Sequence, residues 1–411
     1  MKRALLLLVV AGFVFISGFT WAATLEERVA ALEEKVEGGS DFRAYWKDGL
    51  RLDSGDGAFK LKIGGRIYVD FAWMSSDDLA GFDDTVEFRT ARFYTSGTIY
   101  ENFGFKLQVD LGGDKVTLKD AYLSFTDVPV VSNLKVGHFK EPFGLEELTS
   151  SKYVTFMERA IPNAFSPSRN AGVMVNSTAL DKKMTWAAGV FRETSDGKDF
   201  ESDDGYAVTG RITGTPWYED EGKKVAHVGA AYSFRTNYKD MIKFEKGPEM
   251  NLAPKVVSTG DIDSDEQSRW GLEGAVVLGP LSFQGEYMHA AVDRNGGDDL
   301  DFGGYYLQAS YFLTGECRPY DTKVATFSRV KPDKNFRDNG GAGAWEVAAR
   351  YSNLDLSDDD IDGGELDNIT VGVNWYMNPN MRVMLNYVAA DVDNTTDGDA
   401  DMAGVRFQVD F

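Results

Sequence analysis

The chain is poor in the residues that staple, coordinate or catalyse. Of its 411 residues one is cysteine, three are histidine and 11 are proline. Cys317 cannot pair within its own chain and lies far from any N-terminal processing site, so neither a disulfide framework nor a lipid-modified N-terminus is expected. His138, His227 and His289 sit on different segments without ligand spacing, and there is no Gly-x-Ser-x-Gly element or phosphate-binding loop. The expectation is no metal site, no cofactor and no enzyme. Positive charge is also in short supply, 43 Lys and Arg against 65 Asp and Glu for a net charge of −22, which argues against nucleic acid as a partner. Beyond Ala23 no stretch approaches the roughly 20 apolar residues of a spanning helix, so a membrane could be crossed only by a closed sheet.

What is present begins with Lys2 and Arg3, an apolar run from Ala4 to Phe19, and small residues at Ala22 and Ala23. Residues 1–22 read as a cleaved secretory signal peptide, and its loss takes the net charge to about −24. Thr24 and Glu27 form a capping box, and Leu25, Val29, Leu32 and Val36 keep the spacing of a coiled-coil seam, so a short helix is predicted over 24–39. Two heptads are marginal alone, but a trimer would hold three copies close together; a structural role, tethering an outer membrane to the cell wall, is the alternative use of this helix. Gly38, Gly39 and Ser40 form a joint, and residues 40–57 read as a linker.

From residue 58 to 411 the period is two. Leu61, Ile63, Ile67, Val69, Phe71 and Trp73 share one face, with Lys62, Arg66, Tyr68 and Asp70 on the other. Phe105 to Leu111, Tyr305 to Leu313 and Ile369 to Met377 repeat the pattern, and Val405, Phe407, Val409 and Phe411 end the sequence on it. About sixteen such segments imply an all-β transmembrane antiparallel barrel, apolar towards outer-membrane lipid and polar towards its lumen. A terminal aromatic also resembles the closing strand by which bacterial outer-membrane proteins are recognised for assembly. Trp73, Trp217, Trp270, Trp345, Trp375 and Tyr376 fall near segment ends, as an interfacial girdle requires. The long connections 237–267 and 315–341 are expected on the outer surface, opposite tight turns such as 278–280 and 376–380.

Sorting charge by parity separates acid from base. The Asp-rich segments fall in loops, whereas the polar strand face carries Lys62, Arg66, Arg89, Lys106, Lys135, Arg211, Arg235, Arg350, Arg382 and Arg406. These are the candidate pore-lining, anion-guiding residues. Lys60 shares their parity, but at a strand end it can reach a lipid headgroup. Opposing them are Asp70, Asp110, Asp120, Glu273, Glu286, Glu346 and Asp410. A low-dielectric channel focuses the field of its own wall while loop carboxylates are screened, so small anionic or neutral solutes are the expected cargo. Around Arg89 a one-residue bulge could exchange the faces of Glu87, Arg89 and Ala91 with those of Phe88, Thr90 and Arg92.

One stretch carries a family resemblance: Asn133-Leu134-Lys135-Val136-Gly137-His138-Phe139-Lys140-Glu141-Pro142-Phe143-Gly144-Leu145-Glu146, continuing through Thr149, Ser150, Ser151, Lys152, Glu158 and Arg159. With Ile63-Gly64-Gly65-Arg66, Trp270-Gly271-Leu272-Glu273, Gly343-Ala344-Trp345-Glu346 and Val371-Gly372-Val373-Asn374-Trp375-Tyr376, it resembles the phosphate-selective porin O and P family. The resemblance implies a sixteen-stranded barrel, a homotrimer, and an inward-folded third loop, here 140–163. It places Arg66, Arg89, Arg159 and Arg235 on family arginine positions and Asp120, Ser150 and Ser151 at the constriction. The departures are Glu147 where the loop lysine is expected, Thr90 for a second arginine, and Gly57 and Gly104 for vestibule lysines. Glu147 should weaken selectivity unless Lys140 takes over.

Overall fold

A computed structural model describes residues 42–113, 115–194, 205–237, 241–394 and 397–411. The expected signal peptide at 1–22 and the expected helix at 24–39 lie outside the described residues. Strands β1 (Phe42–Trp46) and β2 (Leu50–Ser54) make a hairpin, and β2 pairs with the first barrel strand, β3 (Phe59–Ser75). There follow β4 (Thr85–Ile99), β5 (Phe103–Asp110), β6 (Thr117–Val128), β7 (Ser132–Lys140), β8 (Arg169–Ala179), β9 (Met184–Arg192), β10 (Tyr206–Glu219) and β11 (Lys224–Thr236). The second half comprises β12 (Glu266–Leu278), β13 (Leu281–Asp293), β14 (Leu300–Phe312), β15 (Ala344–Asp358), β16 (Ile361–Asn378), β17 (Met381–Asp393) and β18 (Gly398–Asp410). Each of β3 to β18 pairs antiparallel with its neighbour, and β18 returns to β3 with Val405 opposite Phe71. Sixteen strands thus close on themselves, which removes every free edge that a bilayer could not solvate.

The side chains explain the closure. Ile67, Trp73, Val190, Leu272, Ile369 and Phe407 are exposed on the outer face, whereas Arg66, Tyr68, Asp70 and Arg406 on alternate positions are buried inside. A one-residue bulge does occur in β4: Tyr68 faces Thr90 but Asp70 faces Glu87. Its effect is that Arg89 and Thr90, consecutive in sequence, both border the lumen.

Three expectations need correction. The segment read as a linker is the β1–β2 hairpin, turned at Asp48 (φ +53°) and Gly49 (φ +125°), so the Asp-Gly signal outweighed the shortness of the apolar pattern. The connection 313–343 does not join the long loops. Successive strands alternate direction, so every second connection returns to the same end, and 313–343 shares the end of the tight turns at 279–280 and 379–380. Contacts agree: the Phe312 N–H donates to Pro280 O (3.0 Å) and the Phe336 N–H to Met377 O (2.7 Å). Strand parity, not loop length, fixes the side. Finally, Trp345 and Trp375 stack outside (centroids 5.3 Å apart), but Tyr376, one residue on, is buried, with its hydroxyl donating to Glu346 (2.8 Å).

Candidate functional site

The connection between β7 and β8, residues 141–168, is held against the inside of the barrel. Its short helix α1 (Leu145–Leu148) points its first two N–H groups, those of Leu145 and Glu146, at the Glu286 carboxylate, both at 2.7 Å. Carboxylates suit a helix N-terminus, where amides lack intrahelical partners. Gly144 (φ +73°) makes that approach possible, since a Cβ there would lie 3.2 Å from Glu286 Oε2. Further along, wall residues donate to backbone carbonyls of the segment: Arg382 to Val154 (2.9 Å), Asn374 to Thr155 (2.8 Å), Arg406 to Met157 (2.5 Å) and Arg350 to Glu158 (3.0 Å). The segment's own Phe143, Leu145, Phe156, Ile161 and Phe165 are fully buried.

Two more segments enter the lumen. From the connection 237–265 comes Glu249, which accepts from Arg350, Ser352 (2.6 Å) and Thr370 (2.6 Å). From the opposite end, segment 313–343 docks through Ala325 O on Arg211 (3.0 Å), Tyr320 on His227 (2.6 Å) and Arg329 on Asp410. A cavity of about 640 Å³ lies between the β7–β8 segment, the wall from β3 to β10 with Arg406 of β18, and the tip of segment 313–343.

Its lining is predominantly cationic. Twelve cations border it: Arg66, Arg89, Arg92, Lys106, Lys119, Lys135, Lys140, Arg159, Arg169, Arg211, Lys323 and Arg406. Among the described residues three carboxylates do, Asp120, Glu147 and Glu158, and each lies between two of those cations. Asp120 pairs with Lys106 (2.5 Å) and Arg169 (2.7 Å), Glu147 with Lys140 (2.9 Å) and Arg159 (3.2 Å), and Glu158 with Arg89 and Arg406 (both 2.8 Å). Among the described residues Arg66, Lys119, Lys135 and Lys323 make no ion pair, and Arg66 instead donates to Ser151 Oγ (2.8 Å).

Of the residues singled out from the sequence, Arg66, Arg89, Lys106, Lys135, Arg211 and Arg406 border the cavity, together with Asp120, Lys140, Glu147, Ser150, Ser151 and Arg159. Four do not. Arg350 and Arg382 hold the inward segments, Arg235 pairs with Glu141 at the root of the β7–β8 segment (3.0 Å), and Lys62 lies over the Tyr94 ring. Parity gives a side chain's face but not what covers it. The cations missed were Arg92, Lys119, Arg169 and Lys323. Arg92 shares the parity of Thr90 beyond the bulge and was legible once the bulge was placed; Arg169 opens β8 directly after a long connection, and Lys323 and the anchor Glu249 lie in connections that follow no strand period.

Glu147 sits in the loop with little exposure. Burial raises its carboxyl pKa, but Arg159 and Lys140 lower it further, to about 2 against an ordinary 4.5. The stabilisation from this cluster is therefore complete above about pH 4.5 and is lost only as pH falls through about 2. Ion selectivity measured from pH 8 to pH 4 is expected to show no step from Glu147; a step centred between 4 and 5 would contradict the pairing.

The sequence model of the family described as phosphate-selective porin O and P matches residues 61–411. The chain belongs to that family. Porin O of Pseudomonas aeruginosa is 30% identical over 416 aligned positions, spanning 90% of this chain and 91% of that protein. Among solved structures, an anion-selective porin from Comamonas acidovorans superposes with a TM-score of 0.54 at 14% identity, covering 86% of this chain and 100% of that one. The trimer form of OmpT from Vibrio cholerae gives 0.52 at 12% identity, covering 85% and 99%. These two likenesses establish the fold. Family and fold together make this porin an outer-membrane channel rather than an enzyme.

Proposed function

We propose that this porin is a trimeric, anion-preferring diffusion channel, exported through the signal peptide at residues 1–22, that passes small solutes such as phosphate. The single observation behind the reading is the lining of twelve cations against three carboxylates that are already paired. Glu147 weakens selection in an indirect way: it does not present a bare negative charge but occupies Lys140 and Arg159, so Lys140 neutralises the carboxylate instead of replacing the missing lysine. The description of the family to which the chain belongs and the name of the C. acidovorans porin point the same way.

The test is the reversal potential of the reconstituted porin under a potassium chloride gradient. Chloride should permeate at least about tenfold better than potassium, the scale on which focused charge biases ion entry. A reversal potential on the potassium side would refute the reading. Lys135→Glu should cut the chloride preference several-fold, because it reverses the sign of a cation that has no carboxylate partner among the described residues.

A further inference from the structure

A porin lumen is polar, yet one stretch of this wall is aromatic. Gly137, Gly172 and Gly189, on the adjacent strands β7, β8 and β9, form a floor without side chains. A Cβ would come within 2.7 Å of the Tyr122 backbone at Gly137, and within 2.5 Å and 2.7 Å of the Phe191 ring at Gly172 and Gly189. Over that floor lie Tyr122, Phe139 and Phe191 in edge-to-face contact, with centroids 5.9 Å and 5.6 Å apart. Phe139 and Phe191 are buried and Tyr122 is half-buried; Tyr122 and the edge of Phe139 border the cavity.

Two cations attend the half-buried Tyr122 ring, one beside it and one over it. Lys106 is its cross-strand partner on β5, and the Lys135 ammonium on β7 stands 4.6 Å from the Tyr122 centroid and 5.1 Å from that of Phe139. Asp120, two residues along the same face of β6, engages Lys106 and Arg169. An anion drawn to Lys106 and Lys135 therefore has an aromatic surface beside its charged end. Inorganic phosphate makes no use of that surface, whereas a phosphate ester with a flat apolar substituent can lay the substituent on Tyr122.

Resting on the anion reading above, we propose that Tyr122 with Lys106 and Lys135 forms a subsite for organic phosphates bearing a planar apolar group. In planar bilayers carrying chloride current through the intact porin, phenyl phosphate should halve the conductance at about one-tenth the concentration of methyl phosphate. Tyr122→Ser should bring the two within about twofold while leaving block by inorganic phosphate unchanged, which also reports that the channel has folded. Tyr122→Phe should retain the preference. Equal block by phenyl and methyl phosphate in the native porin overturns the subsite while leaving the anion reading intact. So does a preference that survives Tyr122→Ser. A channel that none of the phosphates blocks and that reverses on the potassium side overturns the anion reading itself.

Discussion

Replacing Arg350 with methionine should cost about 3–5 kcal/mol of stability and yield a wider, noisier channel. The Arg350 side chain is fully buried; it donates to Glu249, to Glu146 Oε1 (3.2 Å) and to Glu158 O (3.0 Å), and lies 4.4 Å over the Phe156 ring. It therefore ties two inward segments to β15 at once. Methionine keeps much of the stem but strands two carboxylates in a dry site, and a buried charge deprived of its partner is among the most damaging lesions. Thermal unfolding in detergent and single-channel conductance, measured together, should both shift. Adding Glu249→Gln should recover part of the stability, because it removes one of the stranded charges. Unchanged unfolding and conductance in the single variant would show that the segments are held by their apolar side chains alone.

The second large effect is expected at Glu147. Glu147→Gln removes the carboxylate paired with Lys140 and Arg159 without introducing a like charge, leaving both cations held by the backbone carbonyls of Glu146, Glu147 and Thr149. Inorganic phosphate should then block chloride current at a concentration about tenfold or more lower, since a charge-assisted hydrogen bond contributes about 1.5–3 kcal/mol net. Glu147→Lys is a poorer experiment. It would place a third cation within about 4 Å of two others, where each like pair costs about 4 kcal/mol at an effective dielectric of 20. Block by phosphate that stays within twofold of the native value in Glu147→Gln would mean that the two cations do not face the conduction path.

Much of the barrel was legible because a strand between lipid and lumen writes its two environments into alternate residues. Arg66, Lys106, Lys135 and Arg406 were placed on the cavity side by that rule alone. The bulge at Arg89 was visible as an ambiguity of parity, and its resolution needed the partner strand. Arg350 and Arg382 obey the same rule yet serve a different end, because inward segments cover them. Glu249 carried no signal: it is an acid in a long loop, indistinguishable in sequence from the solvated Asp-rich loops, and only the fold brings it to Arg350.

By itself the sequence determined the class of the protein, a closed membrane barrel with a lumen more basic than the chain as a whole. It could do so because burial in lipid acts on each residue locally, through a period of two. The tertiary structure decided which cations reach the solute. Three connections fold inward, one of them from the short-turn end, and each consumes charges that parity had assigned to the channel. Those contacts join residues far apart in the chain, such as Glu146 with Arg350 and Glu158 with Arg406, and no local pattern encodes a pairing over that separation.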